Sequence, residues 1–222
     1  MPNFNFRPLW RYENQFIDGV LTTLLLTVSA AAIGLLIGIA GAVILRSGPK
    51  PARIAVRAYI EVIRNTPALL QIFIIFFVLP SIGLRFSPIQ ASIVALSIYF
   101  GAYTSEILRS GLSSIPRSQI EAGLCLGLTR WQVLSRIVLP PAIRNIYPSM
   151  TSQFVLLLLG TSIASQVSAD ELFHAAGFID SRTYRSFEVY ALTCGIYFTL
   201  VILFKIVFAL FGRVVFRWPT RR

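Results

Sequence analysis

Five stretches of this chain are dominated by apolar residues, at about 17–45, 59–79, 89–108, 147–167 and 189–211, with polar segments between them. A membrane helix needs roughly 20 mostly apolar residues, so each stretch is predicted to span a bilayer. In the fourth, FVLLLL gives way to GTSIASQVS. Those polar side chains cannot all face lipid, so that half is expected to face protein or a water-filled path. The N-terminal residues lack the basic-then-short-apolar design of a cleaved signal, and the first stretch reads as a retained span.

The polar interval between the third and fourth stretches, 118–140, has a design of its own. Ser118-Gln-Ile-Glu121 reads as a capping box that starts a short helix. Gly127 sits where that helix would end, in a place that suits positive φ. Thr129-Arg-Trp-Gln132 repeats the box and starts a second helix running to about Val138, which Leu139-Pro140-Pro141 stops. Trp131, Leu134 and Val138 form one apolar stripe opposite Arg130 and Arg136. The result is a helix–Gly–helix elbow at the membrane surface. Each cap stabilises by only about 1 kcal/mol, so the elbow is expected to dock on something. Periodicity alone leaves both a protein groove and the lipid surface open as the thing it meets.

Composition removes whole function classes. The 222 residues are 55% hydrophobic and 13% charged, with mean hydropathy +0.72, too apolar for a soluble domain. The net charge of +11 does not indicate nucleic acid, because the basic residues flank apolar runs instead of gathering on a soluble face. Their distribution orients the chain. Three segments each carry net +4: Arg46 to Arg57, Arg109 to Arg144, and Arg213 to Arg222. The alternate segments together carry −1, and Glu61, Arg64, Glu106 and Lys205, in or near spans, cancel. Positive loops stay cytoplasmic, so the N-terminus is expected outside, the C-terminus inside and the elbow in the cytoplasm.

Within the spans, Gly34 and Gly38 share one helix face, which suits close packing either inside the bundle or between subunits. Glu61 with Arg64, and Glu106 with Arg109, are three residues apart and can neutralise each other, either to orient the helices or to line a path. Thr161, Ser162, Ser165 and Gln166, with Asp170 and Glu171, are further candidates for the path. His174 is the only histidine, and Cys125 and Cys194 lie far apart, so no metal site, catalytic histidine or disulfide framework is indicated.

Glu121-Ala122-Gly123, then Gly127, then nine residues, then Ile137-Val138-Leu139-Pro140 resembles the cytoplasmic signature of membrane subunits of bacterial ABC importers. Gly19-Val-Leu-Thr-Thr, Tyr59-Ile-Glu61-Val-Ile-Arg64-Asn-Thr66-Pro67, Ala102-Tyr103-Thr-Ser-Glu106-Ile-Leu-Arg109 and Ser114-Ile-Pro116 look like the branch that imports polar amino acids. Three positions depart: Gly123 replaces the usual second alanine, Pro141 a usual glutamine, and Leu159-Gly160 stand where many relatives carry a polar residue.

The resemblance implies an all-α membrane protein, one permease domain over residues 1–222, with five spans and a cytoplasmic coupling helix in the type I importer architecture. It implies that Glu121, Ala122, Gly123, Gly127, Ile137, Leu139 and Pro140 couple the chain to an ATP-hydrolysing subunit. The expected partners are cytoplasmic ATP-binding subunits, a second permease chain, an extracytoplasmic solute-binding protein and membrane lipid. The chain has no G-x-x-x-x-G-K-[ST] loop, so no cofactor is expected on it and ATP would be used by the partner subunits. The expected location is the bacterial inner membrane, and the expected mechanism is alternating access without chemistry of the chain's own. The alternative is a multi-pass membrane enzyme acting on a lipid-linked substrate, for which the sequence offers no metal or nucleophile constellation.

Overall fold

A computed structural model describes residues 4–215, and these are helical with short connections. A 3₁₀ turn, Arg7–Tyr12, leads into α1, Glu13–Ser47, which contains the first predicted span. α4, Pro88–Ser113, contains the third, and α9, Ser186–Val215, the fifth. Arg217, Arg221 and Arg222, part of the third basic segment, lie outside the described residues.

α1 and α4 form the central pair, and small residues let them approach. A Cβ added at Gly34 would stand 2.8 Å from the Ser97 carbonyl oxygen. One at Gly38 would meet Thr104, and one at Gly41 would meet Ser105. The Gly34/Gly38 face therefore packs inside this chain, which decides between its two sequence readings. Leu96 and Phe100 of α4 close over Ala30 and Ala31 of α1, with Leu157 from a third helix.

The second expected span, 59–79, is not one straight helix. α2, Lys50–Arg64, and α3, Ala68–Phe73, are separated by a break, and the helical arms 50–64 and 68–82 are bent by 108°. Pro67 has no N–H to continue the ladder and disfavours helical backbone at Thr66. Side chains take carbonyls around the break: Thr66 Oγ1 donates to Val62 O at 2.8 Å and Gln71 Nε2 to Ile63 O at 2.9 Å, while Asn65 Nδ2, at 2.8 Å, joins the Asn65 N–H on Glu61 O. Beyond α3 the chain continues through a π turn, Ile74–Val78, and a 3₁₀ turn, Leu79–Ile82. The described residues thus hold four helices long and apolar enough to cross a membrane, or five if the bent pair counts as one span.

The elbow region departs from expectation in three ways. α5, Arg117–Cys125, starts directly after Pro116, so Ser118 is already inside the helix and caps nothing; the first capping box does not form. The second box does form at the start of α6, Arg130–Gln132: Gln132 N–H donates to Thr129 Oγ1 at 3.3 Å and Thr129 N–H to Gln132 Oε1 at 2.8 Å. Pro140 and Pro141 do not stop the second helix. A π turn, Val133–Val138, widens the spiral ahead of them, and the prolines fall in the first turn of α7, Leu139–Gly160, where their missing N–H groups matter least. Helix and turns run on together from Arg130 to Val167, ending in a 3₁₀ turn, Thr161–Val167. α8, Leu172–Thr183, follows.

Candidate functional site

Two places gather many of the residues singled out by sequence: the elbow and a charged cleft lined from α1, α2 and α4. At the elbow, α5 closes in a pattern that requires a left-handed residue. Gly127 has φ +79°, its N–H donates to Leu124 O at 3.0 Å, and the Leu128 N–H reaches Gly123 O at 3.2 Å. These two bonds satisfy the last carbonyls of the helix, as in a Schellman motif. Under the turn, Ile115, Val133, Val138 and Ala142 are buried, with Ile120, Leu128, Leu134 and Ile137 packed on them.

This packing divides the coupling residues. Gly123 and Ile137 face inward and touch, while Glu121, Ala122, Gly127 and Pro140 are exposed and Leu139 is half-buried. The expected stripe is divided too. Val138 is buried and Leu134 half-buried, but the π turn changes the period and Trp131 stands 71% exposed. With Leu126, 81% exposed, and the exposed Leu124, Trp131 gives the turn an outward apolar knob. The high exposure of Leu126 was missed by sequence reading because nothing in its apolar character distinguishes an outward side chain from a buried one.

The cleft, of about 440 Å³, is lined by Leu45, Arg57, Ile60, Glu61, Arg64, Glu106 and Arg109. A smaller hollow of about 270 Å³ adds Asn65 and Tyr103. Of the two expected ion pairs, one forms. Arg109 Nε donates to Glu106 Oε2 at 2.8 Å, and its Nη2 bonds the other carboxylate oxygen, a two-pronged pairing. Glu61 makes no ion pair with Arg64 among the described residues. The Arg64 guanidinium instead lies 5.1 Å from the centre of the Tyr103 ring. Among the described residues neither Glu61 nor Arg57 makes an ion pair, and the cleft holds three guanidinium groups against two carboxyls.

The remaining candidates lie elsewhere. Thr161, Ser162, Ser165 and Gln166 occupy the 3₁₀ turn after α7 and are not among the cleft-lining residues. Thr161 is fully buried and donates to Leu158 O at 2.7 Å; Ser162 and Ser165 donate to Leu159 O and Ser162 O, and Gln166 is exposed. Leu159 is exposed and Gly160 has open space around it. Asp170 is exposed and sits 3.1 Å from His174 Nδ1, whereas Glu171 is fully buried and lines no open surface of this chain. Burial pushes the Glu171 carboxyl above its usual range, a rise that hydrogen bonds from backbone N–H groups and Tyr197 oppose.

Comparison with known proteins places this arrangement. Residues 30–222 match the sequence family described as binding-protein-dependent transport system inner membrane component. The L-cystine transport system permease protein TcyB of Bacillus subtilis is 36% identical over 164 residues, covering 74% of this chain and 70% of that one. The glutamine transport system permease protein GlnP of Escherichia coli K12 is 33% identical over 205 residues, 90% of this chain and 94% of its own. Among solved structures, an amino acid ABC transporter crystallised with histidines superposes with TM-score 0.88 at 35% identity, covering 96% of this chain and 99% of that one. The MetNI methionine ABC transporter in an inward-facing conformation shares the fold, with TM-score 0.76 at 22% identity over 97% of this chain and 99% of its own.

Proposed function

Since the chain belongs to the family of binding-protein-dependent transport system inner membrane components, a family of type I ABC importer permeases that work with ATP-binding subunits, we propose that it carries a polar amino acid across the inner membrane by alternating access. It is a transport protein rather than an enzyme, and the alternative of a lipid-linked enzymatic substrate has no support among its relatives. The solute class follows from relatives named for glutamine and cystine.

In this reading the elbow is the handle held by an ATP-binding subunit. The observation that carries it is the apolar knob of Leu124, Leu126 and Trp131, presented by a turn that Gly127 fixes and a buried cluster supports. Exposed apolar side chains on a rigid base suit a groove in a partner. ATP is bound and hydrolysed by the partner, and its preference for the closed motor state drives the change of access. A second permease chain, identical or related, completes the path, and a solute-binding protein delivers cargo from outside. In this reading the positive segments stay cytoplasmic, with the N-terminus outside and the C-terminus inside. The cleft residues Glu61, Arg64 and Glu106 and the turn residues Thr161, Ser162, Ser165 and Gln166 contribute to the solute path.

The test is co-expression with a nucleotide-binding subunit, isolation of the complex and mass analysis of its members and bound solute. ATP hydrolysis that rises in the assembled complex when L-glutamine and the binding protein are supplied supports the reading. A chain that never retains an ATP-binding subunit, with its elbow lying on lipid, overturns it.

A further inference from the structure

A buried polar cluster lies outside both the elbow and the cleft, where α8 meets α1 and α9. Glu171 is 0% exposed and, among the described residues, has no ion-pair partner. Both of its oxygens are nevertheless used. Oε1 accepts from the His174 N–H at 2.8 Å, capping α8, and Oε2 accepts from the Tyr197 hydroxyl of α9 at 2.7 Å. Next to it the Leu172 N–H donates to Thr23 Oγ1 of α1 at 3.2 Å, and Thr23 is itself fully buried. α8 is pressed onto α1 here, because a Cβ at Gly19 would stand 2.9 Å from Leu172 Cα.

The link from this cluster back to the Thr161–Val167 turn is short and taut. Ala169 N–H bonds Ala164 O at 3.2 Å, Glu171 N–H bonds Ala169 O at 2.8 Å, and Ser168 between them is left-handed at φ 60°. Thr161, the first residue of the turn, flanks the same Tyr197 hydroxyl. A buried carboxyl is expensive to keep, and among the described residues no ion pair offsets it. Its bonds reach a span on one side and the start of an outer helix on the other. Removing it would leave the α8 N-terminus without its side-chain cap and take from the Tyr197 hydroxyl the acceptor it bonds at 2.7 Å.

We propose that Glu171 is a positioning residue whose carboxyl, bonded to Tyr197 and to the first turn of α8, holds the Thr161–Val167 turn in register with α1 and α9. The effect on transport rests on the reading of that turn as part of the solute path; the placement of the turn does not.

The two are separated by two measurements on the full complex with its ATP-binding subunits and binding protein in liposomes. The first is the labelling rate of Gln166→Cys by an impermeant maleimide, with Cys125 and Cys194 replaced by serine. The second is KM and maximal rate for L-glutamine uptake. Glu171→Ala is expected to change the labelling rate several-fold and to raise KM roughly tenfold, with a smaller effect on maximal rate. Glu171→Gln, which keeps an acceptor for the α8 cap and a bonding partner for Tyr197, is expected to restore both. Tyr197→Phe, which preserves the ring and its packing, should shift both in the same direction and add little to Glu171→Ala, as members of one network do. It keeps the proposal testable if Glu171→Ala fails to assemble. Unchanged Gln166→Cys labelling in Tyr197→Phe and in any Glu171→Ala that assembles, or a Glu171→Gln that behaves like alanine, overturns the proposal. Altered labelling with unaltered uptake keeps the strut and removes the turn from the solute path.

Discussion

Gly123 of α5 lies against the side chain of Ile137 in the π turn that follows α6: a Cβ added at Gly123 would come within 2.5 Å of Ile137 Cδ1 and 3.1 Å of Val133 Cγ2. Two residues of the cytoplasmic signature thus lie against each other. The contact sets how closely the two arms of the elbow fold, and it gives the departure from alanine at this position a physical meaning.

Gly123→Ala is therefore expected to be tolerated at a cost of about 1 kcal/mol or less, because the crowding atom is the flexible end of isoleucine. Gly123→Leu should push the arms apart. Thermal unfolding in detergent, read beside recovery of an ATP-binding subunit on pull-down, checks both. Ile137→Val, which removes the crowding methyl, should rescue the alanine variant if any loss appears.

Gly127→Val forces a branched side chain into left-handed backbone at a cost of roughly 1–2 kcal/mol. No neighbour obstructs it, since a Cβ there meets nothing within 4 Å. The variant should insert at normal levels and lose substrate-stimulated ATP hydrolysis, measured in liposomes. Normal coupling in this variant would sink the handle interpretation.

Trp131→Ala and Leu126→Ser alter side chains that are mostly exposed, so the stability of the isolated chain should move by no more than about 0.5 kcal/mol. Retention of the ATP-binding subunit should fall about tenfold or more if these side chains anchor in its groove. Equal retention by both variants and the parent would move the anchor elsewhere on the elbow.

Topology is tested at two exposed serines, Ser47 at the end of α1 and Ser181 in α8. A cysteine at Ser181 should react with an impermeant reagent in intact cells, and one at Ser47 should not. The reverse pattern would put the elbow on the side away from any cytoplasmic motor.

Much of this was legible because long apolar runs, glycine and proline act through local rules. Span one, Gly127 and the Thr129–Gln132 box obey them, and each stands where local reasoning puts it. The errors share one cause, which is that a neighbouring residue changes the local frame. Pro116 starts α5 early and strands Ser118; the π turn absorbs Pro140 and Pro141; Pro67 with Asn65 and Thr66 breaks what reads as a single apolar span. The cleft partners were harder still. Arg64 chooses the Tyr103 ring, 39 residues away, over Glu61 on its own helix, and no spacing rule contains that choice. Glu171 reads, with Asp170, as a candidate for the path, and only the tertiary fold encloses it.

The unbroken run from Arg130 to Val167 also has a mechanical side. Its α-helical part alone, the 22 residues of α7, rises about 33 Å at about 1.5 Å per residue, already the thickness of a bilayer's hydrocarbon core of about 30 Å, and the turns at both ends extend it. Its lower end is the arm that carries Trp131, and its upper end is the turn that carries Ser162 and Gln166. No loop lies between them in which a displacement could dissipate. A push at the arm is expected to reach the far turn as translation and a twist as rotation, with the π turn at 133–138 and Pro148 as the places where the run can flex. The 65–67 break gives the bent pair a joint; the Arg130–Val167 run has no break of that kind, so the turn at its upper end is expected to respond when the elbow moves.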